Sequence, residues 1–300
     1  MRRSVVFVSR AVRAAALTAV LLAAGAFPPH PRHASAAGPT PQSVNAELAR
    51  IERSQPALLR AEVAQLAPRR KGETNIYAIG IAGWAGLDVF VKEVDGGLVS
   101  IGHVLPIKDR TLRLINHPST ADKIPLANPQ NFAAALHAVA RVMDKNTDVL
   151  ILFMTSHGDR NGVGLQLPDI TIDLTPQKVA QTLDREGIKN RVVIVSACFS
   201  GIFVPPLRND STIVMTASDQ WHTSFGCAPE RDWTYFGDAL LRLSLHPGTD
   251  FEHAFEKARE LIAGWELMDR APPSNPQGFF GPALVAKLAP FFAASANATR

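Results

Sequence analysis

Short, continuously apolar runs constrain the fold of this chain more than any other feature of its sequence. VLILFMT at 149–155, VVIVS at 192–196 and STIVMTAS at 211–218 are rich in β-branched residues and have the length of strands. Because such strands carry no polar face, they are typical of a sheet that is covered by helices on both sides. Helical patterns at 131–143 and 176–187 separate the runs. The alternation predicts an α/β fold with a mostly parallel sheet.

The first 36 residues have the layout of a secretory signal peptide. Four arginines precede or border an apolar run at 14–24, and small residues then predict cleavage after Ala26 or Ala36. The run is shorter than the ~20 residues that span a bilayer. We therefore expect a periplasmic or secreted bacterial protein with no stable membrane span after signal removal. An uncleaved inner-membrane anchor is the alternative.

The net charge of +4 belongs to this leader rather than to a binding surface. Residues 1–26 hold four arginines and no acidic residue, so their removal leaves 27 basic and 27 acidic residues. The one basic run downstream, at 69–71, is interpreted as part of a solvated linker. We expect no nucleic-acid partner.

The pattern along the chain divides the remainder into three parts. A helical pattern over 43–66, broken at Pro56, predicts an N-terminal helical arm or linker at 37–72. The strand and helix alternation predicts one α/β domain over 73–264. The remaining residues, 265–300, are interpreted as a C-terminal tail.

A histidine and a cysteine directly follow two of the apolar runs. His157 comes two residues after the run at 149–155, and Cys198 comes two residues after the run at 192–196. A strand–helix–strand crossover makes parallel strands near neighbours, so both ends are expected at the ligand-binding edge of the sheet. An imidazole there can activate a thiol and later protonate a leaving amine. The N–H groups of Gly158 and Cys198 could form an oxyanion hole. The sequence thus predicts nucleophilic cysteine catalysis.

Three other interpretations of these side chains stay open. Cys198 could be an inert buried cysteine, or it could form a disulfide with Cys227 in an oxidising compartment. His222, in a loop beside Trp221, is interpreted as solvated, with substrate contact as the alternative. No H-E-x-x-H motif or other ligand spacing occurs, so neither a metal nor a cofactor is expected.

Taken in order, these motifs resemble those of the legumain-like (asparaginyl endopeptidase) cysteine peptidases of the caspase-fold clan. The resemblance covers about residues 74–245 and rests on ILFMTSHG, VVIVSACFSG, NPQNF and MTASDQWHTSFGCAPERDWTYFGDAL. It implies a caspase-like three-layer sandwich with a mostly parallel sheet flanked by helices. It also implies a Cys198/His157 dyad that works through an acyl-enzyme, with Gly158 in the oxyanion hole.

The resemblance further implies where the substrate binds. Thr223 and Asp238 match positions of the substrate pocket, and Ser196 stands where legumains carry a glutamate. The segment 81–95 also lacks the arginine of their pocket motif, so cleavage after asparagine is not predicted. The expected function is an exported cysteine endopeptidase acting on peptide or protein substrates. A non-catalytic peptide-binding protein on the same fold and a transpeptidase are the alternatives.

Overall fold

The computed structural model describes residues 41–167 and 170–298. The predicted signal peptide at 1–36 and both of its cleavage sites lie outside these ranges. Among the helices of the described ranges, none combines the length and the apolar character needed to cross a bilayer.

The described part of the chain forms eight strands and eight α-helices. The strands are β1 (Ile76–Ala82), β2 (Thr111–Ile115), β3 (Val149–Thr155), β4 (Val163–Gln166), β5 (Thr171–Leu174), β6 (Arg191–Ser196), β7 (Thr212–Thr216) and β8 (Gln277–Phe280). The helices are α1 (Pro41–Ala64), α2 (Asp88–Val104), α3 (Pro129–Val142), α4 (Pro176–Arg185), α5 (Val204–Leu207), α6 (Tyr235–Gly237), α7 (Phe251–Met268) and α8 (Pro282–Ala298). A 3₁₀ turn at Ser200–Phe203 and a π-helical segment at Asp238–Ser244 complete the elements.

Six strands form one sheet in the order β2-β1-β3-β6-β7-β8. The first five are parallel, and β8 joins β7 in the antiparallel direction. Strands β4 and β5 form a separate antiparallel pair. Every residue of β1, β3, β6 and β7 is buried, as their continuous apolar character predicts. The expected α/β architecture with a mostly parallel sheet is confirmed.

Helices cover both faces of this sheet. One face, called here the α2 face, packs against α2, α7 and α8, and the other, the α3 face, packs against α1, α3 and α4. Side chains alternate between them: in β3, Ile151 and Phe153 point to the α2 face, whereas Leu150 and Leu152 point to the α3 face. The result is a three-layer sandwich.

The arm and the tail pack against the sheet domain. Helix α1 continues through Pro56, where the sequence predicted a break, because its downstream part packs Leu59 and Val63 onto the α3 face. Just before the proline, the Gln55 side chain accepts a hydrogen bond from the backbone N–H of Leu126 (2.7 Å). At the other end, β8 and α8 extend the sheet and the α2-face layer beyond residue 264. The domain limits at 73 and 264 stay predictions.

Candidate active site

Strands β3 and β6 bring His157 and Cys198 to one rim of the sheet. The two strands pair in parallel register up to Thr155 beside Ser196, and the N–H of Ser156 bonds the Ser196 carbonyl at 3.2 Å. His157 and Cys198 each come two residues after that pair. By the alternation of side chains they share a side of the sheet with Thr155 and Ser196.

Two aromatic rings hold the imidazole of His157. Its centre lies 4.8 Å from the ring of Trp84, which follows β1, and 5.3 Å from the ring of Phe90 on α2, both edge to face. In the described part of the chain no group hydrogen-bonds this ring, so packing alone orients it. Burial lowers the pKa of His157. The imidazole is therefore neutral near pH 7 and able to accept a proton.

The sulfur of Cys198 faces the loop that follows β7. The backbone N–H of Ser224 donates to Sγ at 3.3 Å, and the Ser224 hydroxyl lies 3.7 Å from it. The thiol itself lies 3.6 Å from the carbonyl oxygen of Ser224, which can accept its hydrogen bond. The N–H that donates to sulfur stabilises negative charge that develops on it. Sequence reasoning did not single out Ser224 as a contact of the cysteine.

The backbone turns sharply directly after Cys198. Phe199 adopts the left-handed conformation (φ 56°, ψ 16°), which is uncommon for a residue with a side chain and marks stored strain. Its N–H is bonded to the carbonyl of His222 at 2.9 Å. Two residues on, a Cβ on Gly201 would lie 2.7 Å from Cα of Asp219. The turns after β6 and β7 are thus packed together, which fixes how Cys198 is presented.

Gly158 makes a close approach that a side chain would prevent. A Cβ at this position would lie 2.5 Å from the carbonyl oxygen of Cys198 and 3.0 Å from Cβ of Ala197. Within the described ranges, neither the N–H of Gly158 nor that of Cys198 donates a hydrogen bond to the protein. Two backbone donors are therefore available at the rim, as an oxyanion hole requires.

A buried glutamate beneath this rim joins the elements that carry it. The side chain of Glu93, on α2, is fully buried and accepts hydrogen bonds from the hydroxyl of Thr155 and from the hydroxyl (2.6 Å) and N–H (3.2 Å) of Thr234. The hydroxyls of Thr234 and Ser196 are 2.9 Å apart. Thr155 lies two positions before His157, and Ser196 lies two positions before Cys198. Glu93 therefore connects β3, β6 and the loop before α6.

Burial dominates the titration of this carboxyl group. It raises the pKa of Glu93 to about 7, although the hydrogen bonds from Thr155 and Thr234 oppose the shift. The carboxyl also leaves no room beside it, because a Cβ on Gly237 would lie 1.8 Å from Oε1. Sequence reasoning missed Glu93. The available signal was a charged residue within the buried stripe of α2, between Phe90 and Val94.

The predicted substrate-binding residues lie in different environments. Ser196 is buried and hydrogen-bonded to Thr234, whereas Thr223 is exposed next to Ser224. Asp238 is 8% exposed and begins the π-helical segment. Its carboxylate is bonded by Arg242 and lies 3.5 Å from Nη2 of Arg231. Its charge is thus compensated inside the protein.

The second cysteine lies near the first as a free thiol. Neither Cys198 nor Cys227 forms a disulfide. Burial, together with the nearby Cys198 and Glu93, raises the pKa of Cys227 to about 12. Cys227 is therefore protonated at neutral pH and does not compete as a nucleophile. Within residues 41–167 and 170–298, no group of three or more potential metal ligands comes together.

Comparisons with known proteins add a family and several solved structures. The profile of the Peptidase C13 family matches residues 126–278. Caspase-1 from Spodoptera frugiperda is 13% identical over 72% of this chain and 93% of the caspase, with a TM-score of 0.47. A structure of pro-sf-caspase-1 is 14% identical over 71% and 90%, with the same score.

A third solved structure is more distant. A secreted C11 cysteine protease from Bacteroides thetaiotaomicron, in complex with an irreversible peptide inhibitor, is 8% identical. The alignment covers 65% of this chain and 59% of that protease, with a TM-score of 0.38. No curated protein gave a significant match.

Proposed function

This chain belongs to the Peptidase C13 family of cysteine peptidases, and we propose that it hydrolyses peptide bonds with Cys198 as the nucleophile. His157 is the general base and acid of this proposal. The observation that carries it is the register of β3 and β6, in which Thr155 lies beside Ser196, two residues before His157 and two residues before Cys198. The N–H groups of Gly158 and Cys198, which donate to no group of the described residues, support it.

The reaction begins with a proton transfer. His157 takes the thiol proton, and the sulfur attacks the carbonyl carbon to form a C–S bond while the oxygen gains negative charge. The N–H groups of Gly158 and Cys198 stabilise that oxyanion. Collapse breaks the C–N bond, and His157 returns the proton to the leaving amine. Water then attacks the acyl-enzyme, and the thiol of Cys198 is released.

Replacement of the nucleophile tests this proposal. Peptide hydrolysis should be abolished in Cys198→Ala, and His157→Ala should reduce thiol labelling by an irreversible peptide inhibitor. Both variants should keep the circular dichroism spectrum of the wild type. Undiminished hydrolysis in Cys198→Ala would contradict the mechanism. Peptide binding without hydrolysis in the wild type would favour the non-catalytic alternative.

Departures from the legumain motifs remove the basis for expecting cleavage after asparagine. Ser196 replaces the legumain glutamate, and a carboxylate from elsewhere in the chain, that of Glu93, lies nearby and is fully buried. A library of peptides varied at the residue before the cut identifies the preference directly.

We also propose export, on the sequence of the first 36 residues. Secretion through a bacterial inner membrane should give a mature chain that begins at Phe27 or Ala37, according to the cleavage site used. N-terminal sequencing of the protein recovered from the periplasm or medium tests this. An intact Met1 in a membrane fraction would instead indicate an uncleaved anchor.

A further inference from the structure

An exposed arginine lies close to the proposed nucleophile. The guanidinium carbon of Arg160 is 5.9 Å from the ring centre of Phe199 and 5.7 Å from that of Trp221. Phe199 directly follows Cys198. In the part of the chain that the structure describes, no carboxylate forms an ion pair with Arg160. By contrast, Arg231 and Arg242 both contact Asp238.

Arg160 lies in a tight turn whose hydrogen bonds fix the position of its backbone. Between β3 and β4, the carboxylate of Asp159 accepts hydrogen bonds from the N–H groups of Asn161 (2.7 Å) and Gly162 (3.2 Å). The N–H of Asp159 in turn bonds the carbonyl of Gly162 at 3.0 Å. The carboxylate of Asp159 is therefore engaged in the turn and does not form an ion pair with Arg160.

The two rings under the arginine are also held in place by backbone contacts. The N–H of Phe199 bonds the carbonyl of His222, and the N–H of Trp221 bonds the carboxylate of Asp219 at 2.7 Å. That carboxylate also accepts from His222 and from the side chain of Asn275 (2.9 Å). The indole of Trp221 is nevertheless 61% exposed. The two rings thus project from anchored backbone and form a partly solvent-facing surface, called here the aromatic shelf.

A guanidinium on such a shelf is well suited to bind a carboxylate. A cation–π contact occupies none of the guanidinium N–H donors, so they can still form the two parallel hydrogen bonds that a carboxylate accepts. The rings also restrict the side chain and exclude water from one side of the charge, which strengthens the pairing. A substrate Gln has an amide of the same shape as the Glu carboxylate but no charge, so it would bind Arg160 more weakly.

We propose that Arg160, on the shelf of Phe199 and Trp221, binds an acidic side chain of the peptide substrate close to the scissile bond. This rests on the proposed function, because the substrate is taken to be a peptide at Cys198. The subsite gives a preference for an acidic substrate residue, and this preference is independent of the enzyme's choice of the residue directly before the cut.

Matched peptides test the subsite by hydrolysis. Each cleaved sequence is resynthesised with Glu or Gln at each of the four positions on either side of the cut, except the residue directly before it, and kcat/KM is compared. At one position the wild type should prefer Glu by about fivefold, the size that an exposed ion pair supports, and the preference should shrink with added salt. Arg160→Gln should abolish it, and Arg160→Glu should favour Lys over Gln there. Arg185→Gln removes an exposed charge at the end of α4 and should keep it.

Binding to inactive protein separates this inference from the proposed function. A labelled library of paired Glu and Gln peptides, chosen without reference to cleavage, is titrated against Cys198→Ala and against Cys198→Ala carrying Arg160→Gln, with fluorescence anisotropy as the readout. A Glu preference that depends on Arg160 supports the subsite even if the wild type hydrolyses nothing, an outcome that would contradict only the peptidase proposal. Equal binding of Glu and Gln peptides, or a preference that survives Arg160→Gln, would overturn the subsite.

Discussion

His157 is oriented by the rings of Trp84 and Phe90 and by no carboxylate among the described residues. A buried acid hydrogen-bonded to the imidazole would stabilise its protonated form. Without one, burial lowers the pKa of His157, and the neutral base predominates at neutral pH. The proposed Cys198/His157 pair therefore has no third member among the described residues.

Gly158 is the position where the rim tolerates no side chain. In Gly158→Ala, the new Cβ would meet the carbonyl oxygen of Cys198 at 2.5 Å, so one of the two proposed oxyanion donors must move. Loss of one such donor costs about 2.7–4 kcal/mol, so we expect kcat/KM to fall about 100- to 1,000-fold. Steady-state kinetics with a cleaved peptide measure the loss.

Gly264 supplies the control for this substitution. It lies in α7, and a Cβ there would meet nothing within 4 Å. Gly264→Ala should leave kcat/KM unchanged and stabilise the helix slightly. Wild-type kinetics in Gly158→Ala would show that Gly158 has no part in the reaction.

At the scale of elements, tertiary packing explains which of them the sequence pattern missed. Two adjacent glycines weaken the helical signal of α2. The structure requires both, since a Cβ on Gly96 would lie 2.4 Å from Trp233 and one on Gly97 would lie 2.7 Å from Phe153. Strand β8 has four residues, one of them glycine, which is too short a pattern to recognise.

Glu93 links α2 to the ends of β3 and β6, and this link predicts a pH dependence of stability. Burial raises the pKa of Glu93 from 4.5 to about 7, so between these values the folded state holds a proton that the unfolded state releases. The free energy of unfolding should therefore fall by roughly 3 kcal/mol as the pH rises from 4.5 to about 7. In Glu93→Gln this contribution should be absent, as urea unfolding across that pH range would measure.

An exposed glutamate provides the comparison. Glu256 lies on the surface of α7, where it pairs with Arg259. Glu256→Gln removes the same charge without a buried group and should keep the wild-type dependence on pH. If Glu93→Gln also kept it, the carboxyl of Glu93 would not titrate between 4.5 and 7.

At the scale of the whole molecule, the fold extends through the region that the sequence pattern assigns to a tail. Helix α8 packs Leu284, Leu288 and Phe292 into the layer on the α2 face. Strand β8 covers the edge of β7, which would otherwise present unpaired backbone groups. This region therefore stabilises the sheet that carries the site.

Substitution of one leucine tests that contribution. Leu288 is 1% exposed, so Leu288→Ala should cost about 2–5 kcal/mol of unfolding free energy through lost burial and a cavity. Leu267 is 81% exposed at the end of α7, and Leu267→Ala should change stability by less than about 0.5 kcal/mol. Chemical denaturation of the two variants measures the difference. Equal stabilities would mean that α8 is not part of the cooperative unit.

The sequence by itself determined the long buried strands β3, β6 and β7, the parallel α/β class and the two residues that follow β3 and β6. Local patterns suffice for these, because buried strands need continuous apolar runs and parallel strands end at a common edge. Only the tertiary structure decided that Glu93 lies beneath the rim and that Arg160 lies on Phe199 and Trp221. Such contacts join residues far apart in sequence, and no local periodicity encodes them.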